Sequence, residues 1–326
     1  MDTSVASPAG TGRVLVVGSA NVDSYIHLDA FPQPGETVFG TAGISGLGGK
    51  GANQAVAARL MGAATTFVGA VGADADGAFV RRTLDQYGVD VSGLREIADA
   101  PTGHAHITVD RDGENTIVVI SGANAALDAR VLEDGVLEDP TADTLIGHDV
   151  GLTQGEVPAD TIAAFAQLCA ARGMRFVLNL APVSELPGYV LRQADPLIVN
   201  ETEAAALLGT ADPGESASVD DALHAARRLT KDVATSTVIT LGASGAVVAT
   251  SDAAWHEPSP VPERVVDTAG AGDAFVGAVA ASLAAGRDLT EAIRLGVAAG
   301  SVAVTVQGTV ASYRGLRYVS ETGVRS

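Results

Sequence analysis

The sequence predicts an α/β protein with a central, mostly parallel sheet, helices on both faces and a small β-sheet lid. Three observations predict it. Short apolar runs alternate with segments of helical spacing along most of the 326 residues, the pattern of strands buried on both faces under helices. An early stretch breaks the alternation with a glycine-rich extended segment and a hairpin signal, so it forms a separate sheet. Hydrophobic residues are 47% of the chain and aromatics only 4%, so Ala, Val, Leu and Gly build the core.

Taken in order, "RVLVVGS" (13–19) is a short buried strand and turn, and "ETVFGTAGISGLGG" (36–49) is extended and glycine-rich. "GANQAVAARLMG" (51–62) has apolar residues at helical spacing, with Gly62 as its stop. "TTFVGAVG" (65–72) is a strand and "DADGAFVRRTLDQYG" (74–88) a helix closed by Gly88. In 103–121 two alternating strands flank "DRDGEN", a hairpin turn. Helices at 160–173, 201–209 and 219–230 then alternate with strands at 174–180, 196–200 and 236–242, and two long helices follow at 271–286 and 289–308. Active sites of such sheets lie at the carboxyl ends of the strands, which singles out loops 18–23, 179–182, 200–203 and 240–245. Residues 1–12 read as a flexible leader, 13–316 as one domain with a lid formed by about 21–47 and 100–121, and 317–326 as a tail.

The net charge of −19 argues against a nucleic-acid partner and makes any phosphate site local, built from backbone N–H groups and few cations. No apolar run is long enough to span a bilayer, and the start has neither a basic nor an apolar signal region. The single cysteine, Cys169, excludes an internal disulfide and any multi-cysteine zinc site, so a cytoplasmic location is expected.

"GLGGKG" (46–51) matches the dinucleotide fingerprint G-x-G-x-x-G and opens a helix, with Asp74 near the expected distance. It does not follow a buried strand, which weakens an NAD-dependent oxidoreductase reading. The same stretch is no Walker A loop, because Ile44 and Gly51 stand where Gly and Ser or Thr are required. His104 and His106 share a strand face and read as lid residues rather than metal ligands.

Four distant segments place polar residues just after strands or at helix starts: "NVD" (21–23), "GGKGANQ" (48–54), "NETE" (200–203) and "DTAGAGD" (267–273). Singly each has a structural explanation. Asn21 and Asp23 suit a turn, Asn200 and Glu203 a capping box, and Asp273 the positive end of a helix dipole. Jointly they fall on loops expected at one edge of the sheet.

"GGKGANQAVAARLMGA" and "DTAGAGDAFVGA" resemble the two signatures of the ribokinase-like, or PfkB, sugar kinase family. "FPQPGETV", "DGENTI", "SGANAAL", "NETEAAALLG", "ITLGASG" and "VAVTVQG" continue the likeness in the family's order, over roughly residues 13 to 312. The resemblance implies ATP-dependent phosphorylation of a sugar, D-ribose to D-ribose 5-phosphate first, with deoxyribose, fructose or a nucleoside as the alternative acceptor. A sensor that binds sugar or nucleotide without turnover would not need the acid of the second signature.

By the same resemblance Asp273 is the general base, and Gly270, Ala271 and Gly272 form an anion hole at a helix N-terminus. Asn21, Asp23, Gly49, Lys50, Asn53 and Glu156 match sugar contacts. Asn200, Glu203, Thr240, Gly242, Ser244, Gly245 and Gly272 match the nucleotide side, with Mg²⁺ held largely through water near Asn200 and Glu203. Asp267, Ala269, Ala303, Val306, Gly308 and Ser312 match a monovalent-cation site that takes K⁺. A homodimer paired through the lid is implied as well. The chain departs from the family at Leu180 in "NLAP", in "GTVAS" (308–312), which lacks a proline before its serine, and at Val297 near the adenine position.

Overall fold

The computed structural model describes residues 12–111, 114–130, 132, 147–211 and 218–322. The chain runs β1 (Arg13–Val17), β2 (Asn21–His27), β3 (Thr41–Gly48), α1 (Lys50–Leu60), β4 (Ala64–Gly72), α2 (Ala75–Gln86), β5 (Asp90–Ile97), β6 (Gly103–Val109) and β7 (Asn115–Ile120). It continues through β8 (Val150–Gln154), α3 (Ala159–Arg172), β9 (Arg175–Asn179), α4 (Gly188–Gln193), β10 (Leu197–Asn200), α5 (Glu201–Leu208), α6 (Val219–Asp232) and β11 (Thr237–Thr240). The last elements are β12 (Ala246–Ala249), β13 (Ala254–Glu257), α7 (Ala271–Ala284), α8 (Leu289–Ala303), α9 (Thr309–Ser312) and α10 (Leu316–Thr322).

β1 shows why the main sheet is sandwiched. Val14, Leu15, Val16 and Val17 are all fully buried. Alternate side chains point to opposite faces: Val14 and Val16 join an apolar cluster with α1, α7 and α8, and Leu15 and Val17 one with α3, α5 and α6. Among the described residues the main sheet has the order β13-β12-β11-β10-β9-β8-β1-β4-β5, parallel from β5 to β11 and antiparallel at β12 and β13. The second sheet, β3-β2-β6-β7, is the expected small one.

Several elements differ from the sequence reading. Asn21 and Asp23, expected in a loop, begin β2 of the small sheet. α8 stops at Ala303 instead of reaching 308, because the N–H groups of Val266 and Asp267 both take the Val304 carbonyl and Gly308 turns at φ 88°. The strands β5, β8, β12 and β13 were not expected. β8 is hidden in the sequence by Gly151, where a Cβ would strike Cys169 and come within 2.9 Å of Phe165. Residues 317–322 of the expected tail belong to α10. The leader through residue 11, the hairpin positions 112 and 113 and the tail from 323 lie outside the described residues.

One contact sets the geometry of the site. α7 crosses α1 at Gly277, where a Cβ would lie 2.6 Å from the Gln54 carbonyl oxygen and 2.9 Å from the Ala58 nitrogen. Only a glycine permits this approach. Asp273 lies one turn earlier on α7, on the same face, so it is carried against Asn53 and Gln54 of α1.

Candidate active site

The carboxyl ends of β1, β8, β9 and β10, with the N-termini of α1 and α7, converge on one cleft. Glu156 follows β8, and its Oε2 accepts from the Ser19 hydroxyl at 2.5 Å and from the Lys50 backbone N–H at 3.0 Å. That clamp fixes the start of α1, whose N-cap Gly49 has φ 82°. Asn124 donates to Asn21 Oδ1 at 2.7 Å and accepts from the Ala20 N–H at 2.9 Å, so it orients Asn21. Ser19, Asn21, Asn124 and Glu156 line a cavity of about 790 Å³.

Asp23 is buried beside them, in space that a Cβ on Gly48 would occupy. Burial, then the neighbouring Glu156 and Asp273 carboxylates, push its carboxyl up to about 7. Its Oδ1 and the Asn53 Oδ1 are buried without a hydrogen-bond partner. Buried acceptors left unpaired are costly, so this face calls for a ligand rich in hydroxyl donors. Three carboxylates nearby and no arginine lining the cavities, among the described residues, make it a place for a neutral polyol rather than a sugar phosphate.

Asp273 lies in the first turn of α7 and is buried. Asn53 Nδ2 donates to its Oδ2 at 3.0 Å and Gln54 Nε2 to its Oδ1 at 2.8 Å. No side chain caps α7. Its N-cap Gly270 sits at φ 75°, and the fully buried Tyr313 hydroxyl donates to the Gly270 carbonyl at 2.7 Å, which sets the turn. Gly270, Gly272 and Asp273 line a cavity of about 500 Å³ with Lys50, Asn200, Glu203 and Thr240. The Ala271 N–H instead turns back on the Thr268 carbonyl at 3.3 Å. Lys50 is held above its ordinary basicity, chiefly by the Asp273 charge, against the opposing effect of burial. The cleft thus brings a carboxylate, an uncapped helix end and an ammonium group to one cavity: a place for an anion beside a proton acceptor.

Residues 11–314 match the family of pfkB carbohydrate kinases. The chain belongs to the PfkB carbohydrate kinase family. It is 36% identical over 314 residues to a ribokinase of Staphylococcus aureus, covering 95% of this chain and 99% of that protein. It is 31% identical over 309 residues to a deoxyribokinase of Salmonella typhi, covering 94% and 97%. The structure of Arabidopsis thaliana ribokinase complexed with ribose and ATP matches with a TM-score of 0.82 at 27% identity, over 96% of this chain and 100% of that one. The protein is therefore an ATP-dependent, ribokinase-like sugar kinase. The dehydrogenase reading falls with this, and the structure shows the reason. Asp74 caps α2, accepting from Gly77 N at 2.7 Å, Thr102 N at 2.8 Å and Thr102 Oγ1 at 2.6 Å, and "GLG" of 46–48 is the end of small-sheet strand β3.

Asn200 and Glu203 form a reciprocal capping box on α5, each bond 2.8 Å, while both also line the same cavity as Asp273 and Lys50. Burial pushes the Glu203 carboxyl up, opposed by the Asn200 N–H and by Lys50. Thr240 ends β11, and Gly242, Ser244 and Gly245 form the tight turn into β12. Asp267 stitches two loops, accepting from the Ala269 and Gly308 N–H groups at 2.9 Å each. Ala303 ends α8, Ser312 donates to the Thr309 carbonyl at 2.6 Å, and Val306 is 46% exposed. Among the described residues no group of three or more His, Cys, Asp or Glu could hold a metal ion. His104, on β6 of the small sheet, pairs with Asp76 of α2 at 2.9 Å.

Sequence reasoning gave no role to Ser19, Gln54, Asn124, Gln154 and Asn179, although it singled out loops 18–23 and 179–182 and the stretch 48–54. The available signal was polar residues at the ends of apolar strands: Gln154 closes "VGLTQ" and Asn179 closes "RFVLN".

Proposed function

We propose that this kinase transfers the γ-phosphoryl group of ATP to the 5-hydroxyl of D-ribose, with Asp273 as general base. The observation that carries the reading is the position of Asp273, at the uncapped α7 end and in the cavity that holds Lys50. Asn21, Asp23, Gly49, Lys50, Asn53 and Glu156 hold the sugar, and the unpaired oxygens of Asp23 and Asn53 accept its hydroxyls. The sugar oxygen attacks phosphorus in line, its proton passes to Asp273, and the bond to the leaving ADP oxygen breaks. The N–H groups of Gly270 and Gly272 and the Lys50 ammonium meet the charge on the phosphoryl oxygens, the Ala271 N–H joining them only by giving up its bond to the Thr268 carbonyl. The polyphosphate lies toward Asn200 and Thr240, with Gly242, Ser244 and Gly245 on the nucleoside.

A hydrated Mg²⁺, held through water by Asn200 and Glu203, supplies charge neutralisation on the nucleotide phosphates when bound. One oxygen of Glu203 is already taken by the cap, which fits ligation through water. Asp267, the carbonyls of Ala269, Ala303, Val306 and Gly308, and Ser312 would supply an oxygen-only donor set to a K⁺, which would steady the anion-hole turn. The exposed edge strand β7, with Ile117, Val118, Val119 and Ile120 each about half exposed, pairs with its copy in a homodimer. The location is cytoplasmic. No helix among the described residues is long and apolar enough to cross a membrane.

An ADP-release assay over ribose, 2-deoxyribose, fructose and nucleosides, with and without K⁺, tests the substrate reading. Ribose has the highest kcat/KM, and K⁺ raises the rate. A higher value for 2-deoxyribose assigns the chain to the deoxy sugar instead. Val118→Lys converts the dimer to a monomer in light scattering, and an unchanged mass removes β7 from the interface.

A further inference from the structure

We infer that Gln54, oriented by Gln154, is the positioning residue that aims the Asp273 carboxylate at the acceptor hydroxyl. The inference rests on the reading of Asp273 as the base. Gln54 is fully buried and lines neither of the two cavities described above, so it stands behind Asp273 and not in the lining of the cleft. Its amide has one allowed orientation. Nε2 donates to Asp273 Oδ1 and to Asn179 Oδ1, both at 2.8 Å, and Oε1 accepts from Gln154 Nε2 at 2.8 Å. A flipped amide would set Oε1 against two acceptor oxygens and two NH₂ groups against each other. Asn179 is fixed in turn, because its Nδ2 donates to the Ile198 carbonyl at 3.0 Å and leaves Oδ1 toward Gln54.

The chain of amides therefore runs from the ends of β8, β9 and β10, through α1, to the base on α7. Gln154 is also fully buried, and its Oε1 has no partner. A polar chain with an unpaired end is a poor way to fill a core, since apolar side chains of the same volume would avoid that desolvation cost. What the chain delivers is at its other end. With Asn53 on Oδ2 and Gln54 on Oδ1, each Asp273 oxygen holds one donor, and rotation of the carboxylate breaks both. One lone pair per oxygen stays open for the acceptor proton. Amides do not titrate, so the aim is the same at every pH at which the enzyme is folded. Misplacement of a base by a fraction of an ångström is enough to slow proton transfer.

The test is steady-state kinetics with the best sugar substrate, alongside sugar Kd by calorimetry, on Gln54→Met, Gln154→Met and the double variant. Gln54→Met lowers kcat about thirtyfold and leaves sugar Kd and both KM values within about twofold. Gln154→Met lowers kcat about fivefold, and the double variant is no slower than Gln54→Met, because Gln154 acts only through Gln54. Per folded enzyme, kcat within twofold of the parent in either single variant overturns the inference, as does a double variant whose losses multiply. Gln154→Met carries the test if Gln54→Met does not fold. Asp273→Asn is measured in parallel. If it keeps its turnover, the base reading itself is wrong; if its kcat falls by orders of magnitude while Gln54→Met works normally, only the positioning role fails.

Discussion

Asp273→Asn lowers kcat about a thousandfold while the sugar still binds. A positioned general base contributes roughly 10² to 10⁴ in rate, and the uncapped α7 end with Lys50 remains to hold the phosphoryl group, so activity is not abolished entirely. The variant also loses stability for a local reason. The carboxylate accepts from two amide NH₂ groups, Asn53 and Gln54. An asparagine can offer its oxygen to only one of them and turns its own NH₂ on the other, which costs about 1–3 kcal/mol. Thermal unfolding registers that loss separately from kcat, so a poorly folded sample is not mistaken for a missing base. Turnover within tenfold of the parent, at saturating sugar and ATP, would remove Asp273 from the base role.

Asp23→Asn has the second large effect, and its two parts run in opposite directions. In the sugar-free protein the Asp23 carboxyl is raised to about 7, first by burial and then by Glu156 and Asp273, with His104 opposing. In the unfolded chain it titrates near 4, the ordinary value of roughly 3.9. Between those values the native state holds a proton that the unfolded state does not, so stability falls as pH rises through the window and the full cost is present above about 7. Asparagine removes the cost. At pH 8 the variant is more stable by on the order of 3 kcal/mol, which raises Tm by several degrees, and near pH 4 the two proteins converge. Sugar binding suffers in exchange. In the proposed sugar site the ionised Asp23 accepts hydroxyl hydrogens, so the variant is expected to bind sugar about a hundredfold more weakly. For the same reason the parent enzyme loses sugar affinity as pH falls below about 7, by up to tenfold per unit. Calorimetry from pH 5.5 to 8.5 reads this directly, and a flat affinity profile would show that Asp23 does not contact the sugar in its ionised form.

The sequence made much of the fold legible because its signals are local. β1 carries an unbroken apolar run at 14–17 and β4 one at 67–72, and Gly62 and Gly88, at φ 101° and 79°, end their helices as a residue without a Cβ can. The same locality explains the failures. The end of α8 was misjudged because "SVAVTVQG" has no breaker before Gly308, and what ends the helix is the loop at 266–267 taking the Val304 carbonyl. β8 was missed because Gly151 answers to the packing of α3, a contact far away in sequence.

The site divides in the same way. That Asp273 opens a helix after a glycine turn, that Asn200 and Glu203 can cap, and that Lys50 and Asn53 lie near a helix start follow from spacing within a few residues, and the sequence alone determined them. Which of these meet was decided by the tertiary structure. Gly277 lets α7 approach α1 closely enough for Asp273 to reach Asn53 and Gln54, across 220 residues in the first case and 219 in the second. Glu156 reaches the Lys50 N–H across 106 residues because β8 lies beside β1 in the sheet. Such pairs leave no trace in local periodicity, because hydrogen bonds and burial act through space, and only the packed chain shows that the Asp273 carboxylate is held by a relay of buried amides.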